Sequence, residues 1–163
     1  MTGCLISNTG PIIALALIDR LDILQTMFQQ VVVPDAVHKE LLDGGPSGHG
    51  LQSYQKASWI RVQSLSAPID SLLQNVLDKG EASVIQLARE MKADYLLIDE
   101  RKARKIARDI FGLRVIGTAR VLVEAKKKGS IDSVGNALTK MHNSGYWIHD
   151  DIVQFALKKA NEI

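Results

Sequence analysis

Four polar side chains are placed along the sequence so that a folded sheet could gather them into one site: Asn8, Glu40, Glu81 and Asp99. Asn8 follows the apolar run Cys4–Ser7, and Asp99 ends the apolar run Tyr95–Ile98. Open α/β sheets bind ligands beyond the carboxyl ends of their strands, so we expect both side chains at the same sheet edge. Carboxylates at such an edge could hold a divalent cation or simply be solvated.

Asn8 and Asp99 also have a purely structural interpretation. Asn8 precedes Pro11 by three residues and could cap a helix, a common use of Asn. Asp99 could be the N-cap of a helix that begins near Glu100, a role worth about 1 kcal/mol. The residue types alone leave both interpretations open.

The two glutamates are predicted to lie on helices. Glu81 shares a helical stripe with Ile85 and Ala88, which predicts that its side chain points inward. Asp78 and Glu81 also have the spacing of a capping box, so a first-turn structural role is equally compatible. Glu40 lies on the helix after the second strand, where it is either partly inward or a solvated surface residue.

The segment after Asp99 predicts an amphipathic helix with one basic face. The apolar stripe contains Ala103, Ile106, Ala107 and Ile110, and the basic stripe contains Arg101, Arg104, Lys105 and Arg108. Residues 100–128 hold ten Lys/Arg and three Asp/Glu, although the whole chain has a net charge of only +2. A basic face beside Asp99 could guide phosphates, and a merely solvated face has the same pattern.

The elements that would position these residues alternate along the chain. Short runs rich in β-branched residues alternate with amphipathic helical patterns, which predicts an α/β sandwich around a mainly parallel sheet. The predicted strands are Cys4–Ser7, Val31–Val33, Trp59–Gln63, Tyr95–Ile98 and Arg114–Ile116. Two closing helices are expected after Ile131, with a break near Asn143. The stretch Gly44–Gly50 has four glycines and a proline, which predicts a mobile loop.

Length and composition predict one globular domain over residues 1–163. Hydrophobic residues make up 46% and charged residues 23%, which excludes disordered and low-complexity classes. The longest apolar run, Ile12–Ile18, is far below the ~18–20 residues that cross a bilayer. Cys4 is the only cysteine and the N-terminus lacks a basic region, so we expect no disulfides, no signal peptide and a cytoplasmic location.

Five segments, in order and over nearly the whole chain, resemble a PIN domain, most closely the single-domain prokaryotic branch similar to VapC toxins. They are LISNTGPIIALALIDRLDIL, VVVPDAVHKELL, LDKGEASVIQLARE, LLIDERKARKIA and VLVEAKKKGSI. The resemblance implies a three-layer α/β/α sandwich and an Mg²⁺- or Mn²⁺-dependent ribonuclease. It also implies an RNA substrate, an antitoxin protein as partner and a homodimer.

Carried over to this chain, the family's acidic positions fall on Asn8, Glu40, Glu81 and Asp99. The resemblance thus implies catalytic roles for the three acids and a metal-binding role for all four positions. The hydroxyl residue after the first acid matches Thr9, which joins the substrate-binding candidates: Thr9, Arg101, Arg104 and Lys105. Crowded carboxylates repel one another until a divalent cation neutralises them, which is why such a site suits metal.

Asn8 departs from the family pattern because an amide oxygen can ligate a metal but carries no charge. This supports an alternative, in which the chain is a catalytically weakened PIN-like module that binds RNA or a protein. A dinucleotide-binding function is not expected, because no G-x-G-x-x-G motif follows the first strand. His149–Asp151 are expected to begin the last helix rather than to form a second metal site.

Overall fold

Five parallel strands form the sheet at the centre of the fold. The computed structural model describes residues 1–44 and 48–163. The strands are β1 (Cys4–Ser7), β2 (Gln30–Pro34), β3 (Ile60–Gln63), β4 (Tyr95–Leu97) and β5 (Val115–Ile116). Their order is β3-β2-β1-β4-β5, so β1 lies at the centre. The predicted strands are confirmed to within one or two residues at each end.

The helices of the described residues enclose this sheet in a three-layer α/β/α arrangement, as expected. They are α1 (Thr9–Leu17), α2 (Asp22–Met27), α3 (Asp35–Gly44), α4 (Gly48–Lys56), α5 (Ser71–Val76), α6 (Lys79–Met91), α7 (Arg101–Asp109), α8 (Thr118–Lys127), α9 (Val134–Asn143) and α10 (Asp150–Lys159). α6 packs on β1, β2 and β4, whereas α1 packs with α8 and α9. Because the centre of the sheet is buried on both faces, β2 and β4 are continuous apolar runs, whereas Arg61 and Val62 of the edge strand β3 are exposed.

The strand order reverses direction beside β1. The chain runs from β1 to β2 and β3 on one side, and then returns to place β4 and β5 on the other side. β1 and β4 pair in parallel with Ile6 opposite Leu96 and Ser7 opposite Leu97. Connections that leave in opposite directions from neighbouring strands open a crevice at their carboxyl ends. The residues after Ser7 and Leu97 therefore border this crevice.

Two details of the predicted elements are wrong. Helix α4 begins at Gly48, so the end of the predicted Gly44–Gly50 loop is helical, and residues 45–47 lie outside the described residues. Ile110 belongs to the apolar stripe predicted for the basic helix, a stripe expected to face the core, but it is 56% exposed. Ile110 is the C-cap of α7, so it lies at the end of the helix, beyond the turns that bury Ala103 and Ala107.

No helix within the described ranges is both long and apolar enough to cross a membrane.

Glu162 joins the end of the chain to the start of α9. Its Oε1 accepts hydrogen bonds from the Ser133 hydroxyl (2.9 Å) and the Gly135 amide (3.0 Å). Its Oε2 accepts from the Val134 amide (2.7 Å) and from Lys126 Nζ (3.0 Å). Amides in the first helical turn have no partner within the helix, so the carboxylate satisfies two of them and interacts favourably with the helix dipole. These partners lower the pKa of Glu162 to about 2.

We expect Glu162→Gln to lower the free energy of unfolding at pH 7 by about 2 kcal/mol, because hydrogen bonds to a charged acceptor are lost. The pKa is lower in the folded state, so the contribution is complete above about pH 4.5 and is lost as the pH falls towards 2. Thermal melts at pH 7 and pH 3 should therefore show a smaller difference between the two proteins at pH 3. The exposed Asp132→Asn is the matched control, and a Gln variant as stable as the parent at pH 7 would contradict the assignment.

Candidate active site

Asn8 and Asp99 border the crevice between β1 and β4. The Asn8 amide donates to the Leu97 carbonyl (2.9 Å), which extends the β1–β4 pairing by one step. Asn8 occupies the N-cap position of α1, but its side chain accepts no capping hydrogen bond. Asn8 is therefore an N-cap by position only, and its half-buried side chain lines the cleft.

Asp99 is fixed by residues from two other parts of the chain. Its Oδ1 accepts from the Thr118 amide (2.7 Å), and its Oδ2 accepts from the hydroxyls of Thr118 and Tyr146. The N-cap of α7 is Glu100 rather than Asp99, so the capping alternative for Asp99 is wrong. Burial and the neighbouring Asp99 carboxylate both raise the pKa of Tyr146, which keeps this phenol a proton donor.

Glu81 belongs both to a capping box and to the lining of the cleft. Its amide donates to Asp78 Oδ1 (2.8 Å) and its Oε1 accepts from the Asp78 amide (3.3 Å), which completes a capping box. The same side chain lines the cleft with Asn8 and Asp99. Partial burial, and then the charges of Asp78 and Glu100, raise its pKa to about 7. Such a carboxylate is unfavourable in its ionised form unless a cation lies nearby.

Glu40 reaches the same sheet edge from α3. Although it is exposed, its Oε2 accepts from the Thr9 hydroxyl (2.8 Å). Its Oε1 lies against Gly80, where a Cβ atom would collide with it. Glu40 thus contacts the neighbours of both Asn8 and Glu81. Within the described ranges, Thr9 and Glu40 lie beside the cleft rather than on its lining.

The cleft itself has a volume of about 1170 Å³ and is lined on one side by the basic helix. Arg101 and Lys105 are exposed on this lining. Arg104 is different, because its Nη1 donates to the Ile98 carbonyl (2.8 Å) and packs with Asp99 against Gly117. Burial lowers the pKa of Arg104, and Asp99 partly opposes this effect. Arg104 is therefore anchored at the sheet edge, and its neighbours in the sequence reach further into solvent.

The side chains at this edge fit a hard divalent cation in their chemistry. Carboxylate and amide oxygens are the ligands that Mg²⁺ and Mn²⁺ prefer, and Asp99 retains lone pairs beyond its three hydrogen bonds. The described residues nevertheless contain no group of three or more His, Cys, Asp or Glu already close enough to hold a metal ion. The candidate ligands therefore lie at the same edge of the sheet, but their oxygen atoms are not close enough together to coordinate one cation.

Sequence reasoning missed two residues that contact Asp99. Thr118 follows β5 at the same sheet edge, so the rule that selected Asn8 and Asp99 could have found it. Tyr146 lies in the connection between α9 and α10, 47 residues from Asp99, and no local pattern marks it. Both are positioning residues, since they act on the carboxylate of Asp99.

Comparison with known proteins agrees with this architecture. The model of one family, DUF3368, described as a PIN domain, matches residues 4–162. PIN domains are generally metal-dependent nucleases and usually use Mg²⁺ or Mn²⁺. A search of curated proteins finds no match to the chain.

Proposed function

Because the chain belongs to the PIN-domain family, we propose that it is a divalent-metal-dependent ribonuclease that hydrolyses phosphodiester bonds of RNA. One observation carries the proposal: Asn8, Glu81 and Asp99 line one cleft together with Arg101 and Lys105. Isolated helix caps would have no reason to share a cleft with exposed cations. In this proposal residues 1–163 act as one PIN-like domain.

Asn8, Glu40, Glu81 and Asp99 are the residues that would hold Mg²⁺ or Mn²⁺. The bound cation would lower the pKa of a water molecule and stabilise charge on the scissile phosphate. Hydrolysis of the phosphodiester bond in the way that the resemblance implies would leave a 5′-phosphate and a 3′-hydroxyl. Thr118 and Tyr146 fix Asp99 by hydrogen bonds, so this carboxylate does not have to reorganise before it acts.

Arg101 and Lys105 are proposed to hold the RNA backbone. Both are exposed on the cleft, and neither forms an ion pair among the described residues. Their charges are therefore free to contact phosphates, which position a strand without reading its sequence. Arg104 supports them electrostatically while its guanidinium stays on the Ile98 carbonyl. Thr9 contributes through its hydrogen bond to Glu40 rather than by direct contact with the strand.

A second candidate function is a catalytically weakened module that binds RNA or a protein. Its support is Asn8, which brings no charge to the position of the first acid, so metal affinity falls. The two candidates differ in one measurable property, since only the first turns over RNA.

We also propose a more specific role for this ribonuclease, as the toxin of a toxin–antitoxin pair. It includes a homodimer, an antitoxin protein as inhibitor and action on cytoplasmic RNA, and it follows from the resemblance to VapC-type proteins. Co-expression with the product of a short neighbouring gene that carries a DNA-binding pattern tests it. Relief of a growth defect by that product would support the toxin assignment, and an unrelieved defect would contradict it.

The test of the proposed function is cleavage of single-stranded RNA by the purified protein. We expect cleavage in Mg²⁺ or Mn²⁺ and none in excess chelator, because the acids cannot activate water without a cation. Restoring the metal after chelation should restore the rate. RNA binding without turnover at any metal concentration would favour the weakened module instead.

Gly80→Ala tests whether Glu40 contributes to cleavage, and it leaves the charge of the Glu40 side chain unaltered. The new methyl group would displace the Glu40 carboxylate, which is the end of a flexible side chain, and cleavage should fall about tenfold or more. Stability should be unchanged or higher, because Ala is favoured over Gly in helices by about 1 kcal/mol. Rate and melting temperature are measured together. Full cleavage by this variant and by Glu40→Gln would remove Glu40 from the site.

A further inference from the structure

Two large aromatic side chains from the last part of the chain are exposed on the lining of the cleft. Trp147 is 61% exposed and Phe155 is 62% exposed, and both belong to the cleft lining. Ile152, one turn before Phe155 on α10, is 45% exposed on the same lining. Exposed apolar surface of this kind, bordered by polar groups, is typical of a binding site.

Trp147 is directly connected to the proposed active site. It follows Tyr146, whose hydroxyl donates to Asp99. The indole packs edge-on against His149, with ring centroids 5.5 Å apart and an angle of 67° between the ring planes. This contact orients the indole while more than half of its surface stays open to solvent. The ring is thus pre-positioned within one residue of the side chain that fixes Asp99.

The charges that line the whole cleft favour a polyanion. Seven Lys or Arg and five Asp or Glu line the cleft, and three of the acids, Glu81, Asp99 and Glu100, belong to the sheet edge. A fourth, Glu124, is paired with Arg120 and Lys127. The fifth, Asp151, lies on α10 next to Ile152, and Lys159 Nζ lies 5.3 Å from the centre of the Phe155 ring. Seven cations against five acids leave the cleft as a whole positively charged, and four of the cations line it from α7.

We propose that Trp147 and Phe155 form a base-stacking subsite that holds single-stranded RNA next to Asp99. Aromatic rings on a cationic surface are how proteins bind single strands, because the rings stack on bases and the cations hold phosphates. A second copy of this chain fits less well, since pairing two clefts with the same net positive charge would bring like charges together. This proposal rests on the proposed function in one respect, which is that the RNA strand binds in the same cleft as the candidate metal ligands.

The composition of the chain offers a direct probe. It contains two tryptophans, so Trp59→Phe leaves Trp147 as the only indole, and Trp59 lies outside this cleft. We expect short single-stranded RNA, titrated in chelator to prevent turnover, to quench the fluorescence of this variant and to saturate. A backbone of the same length that lacks bases should bind with similar salt dependence but should not quench.

Substitution then measures the contribution of stacking. Trp147→Ala should weaken RNA binding about tenfold or more, whereas Trp147→Phe, which keeps a ring, should retain most of the affinity. Trp59→Phe is the matched control and should bind as the parent does. Because the Trp147 side chain is exposed, melting temperatures should be unchanged.

Two results would overturn the subsite. The first is an RNA affinity of Trp147→Ala equal to that of the parent. The second is a change of Trp147→Ala from dimer to monomer with normal RNA binding, which would identify the surface around Trp147 as a contact between two copies of the chain. Cleavage, measured separately in Mn²⁺, distinguishes this failure from that of the proposed function. Quenching without cleavage supports the subsite and contradicts the nuclease function. Cleavage and RNA binding that are both unchanged in Trp147→Ala support the nuclease function and contradict the subsite.

Discussion

Asp99→Asn is expected to reduce metal-dependent RNA cleavage by at least about a hundredfold, since altering even an outer partner of a metal ligand costs ten- to a hundredfold. The substitution removes one negative charge from the cleft and keeps the shape of the side chain. Its amide oxygen can still accept from the Thr118 backbone amide. The hydroxyls of Thr118 and Tyr146 can rotate to accept from the new NH₂ group, so the fold should survive.

The measurement is the initial cleavage rate at saturating Mn²⁺, together with a thermal melt of each protein. Asp109→Asn is the matched control, because it makes the same change at the exposed end of α7 and should cleave normally. Equal rates for the two variants would exclude Asp99 from the chemistry. Cleavage by either variant in excess chelator would identify a contaminating nuclease.

The fold could be predicted because its determinants are local. Runs such as Val31–Val33 and Tyr95–Ile98 are apolar, partly β-branched and bounded by polar residues, which indicates buried parallel strands. Asp78 and Glu81 have the spacing of a capping box, and the structure forms that box while Glu81 also lines the cleft. Such patterns depend on neighbours along the chain, so they are visible before any tertiary contact is known.

The details of the site could not be predicted because they depend on contacts between distant segments. Helical spacing places Arg104 beside Arg101 and Lys105, but only the packed sheet edge offers it the Ile98 carbonyl. Tyr146 reaches Asp99 only after α9 and α10 have packed. Glu40 is exposed, as its solvated alternative predicts, and it joins the edge through Thr9, a contact that no spacing along the chain indicates.

Asn8→Asp adds the carboxylate that the resemblance to PIN domains implies at this position. We expect metal affinity to rise about tenfold, because a charged ligand replaces a neutral one of nearly the same shape. At metal concentrations above both dissociation constants, tenfold tighter binding adds about 1.4 kcal/mol to the free energy of unfolding. Less Mg²⁺ or Mn²⁺ should then saturate cleavage.

Without metal, two opposing effects act on the new carboxylate. As N-cap of α1 it would gain about 0.3–1 kcal/mol from the helix dipole. Glu81 and Asp99 line the same half-buried cleft, where repulsion between like charges is screened less than at an open surface. We expect repulsion from the two carboxylates to exceed the dipole term, so the metal-free variant should melt below the parent.

Metal titrations of melting temperature and cleavage rate, performed on both proteins, measure this difference. Asn75→Asp makes the same charge change on the exposed surface of α5 and should leave the metal dependence unaltered. If Asn8 were only a cap, Asn8→Asp would resemble this control, since Asn and Asp cap helices about equally well. Identical titrations for Asn8→Asp and the parent would therefore remove Asn8 from the site and leave Glu40, Glu81 and Asp99 as the acids that hold the cation.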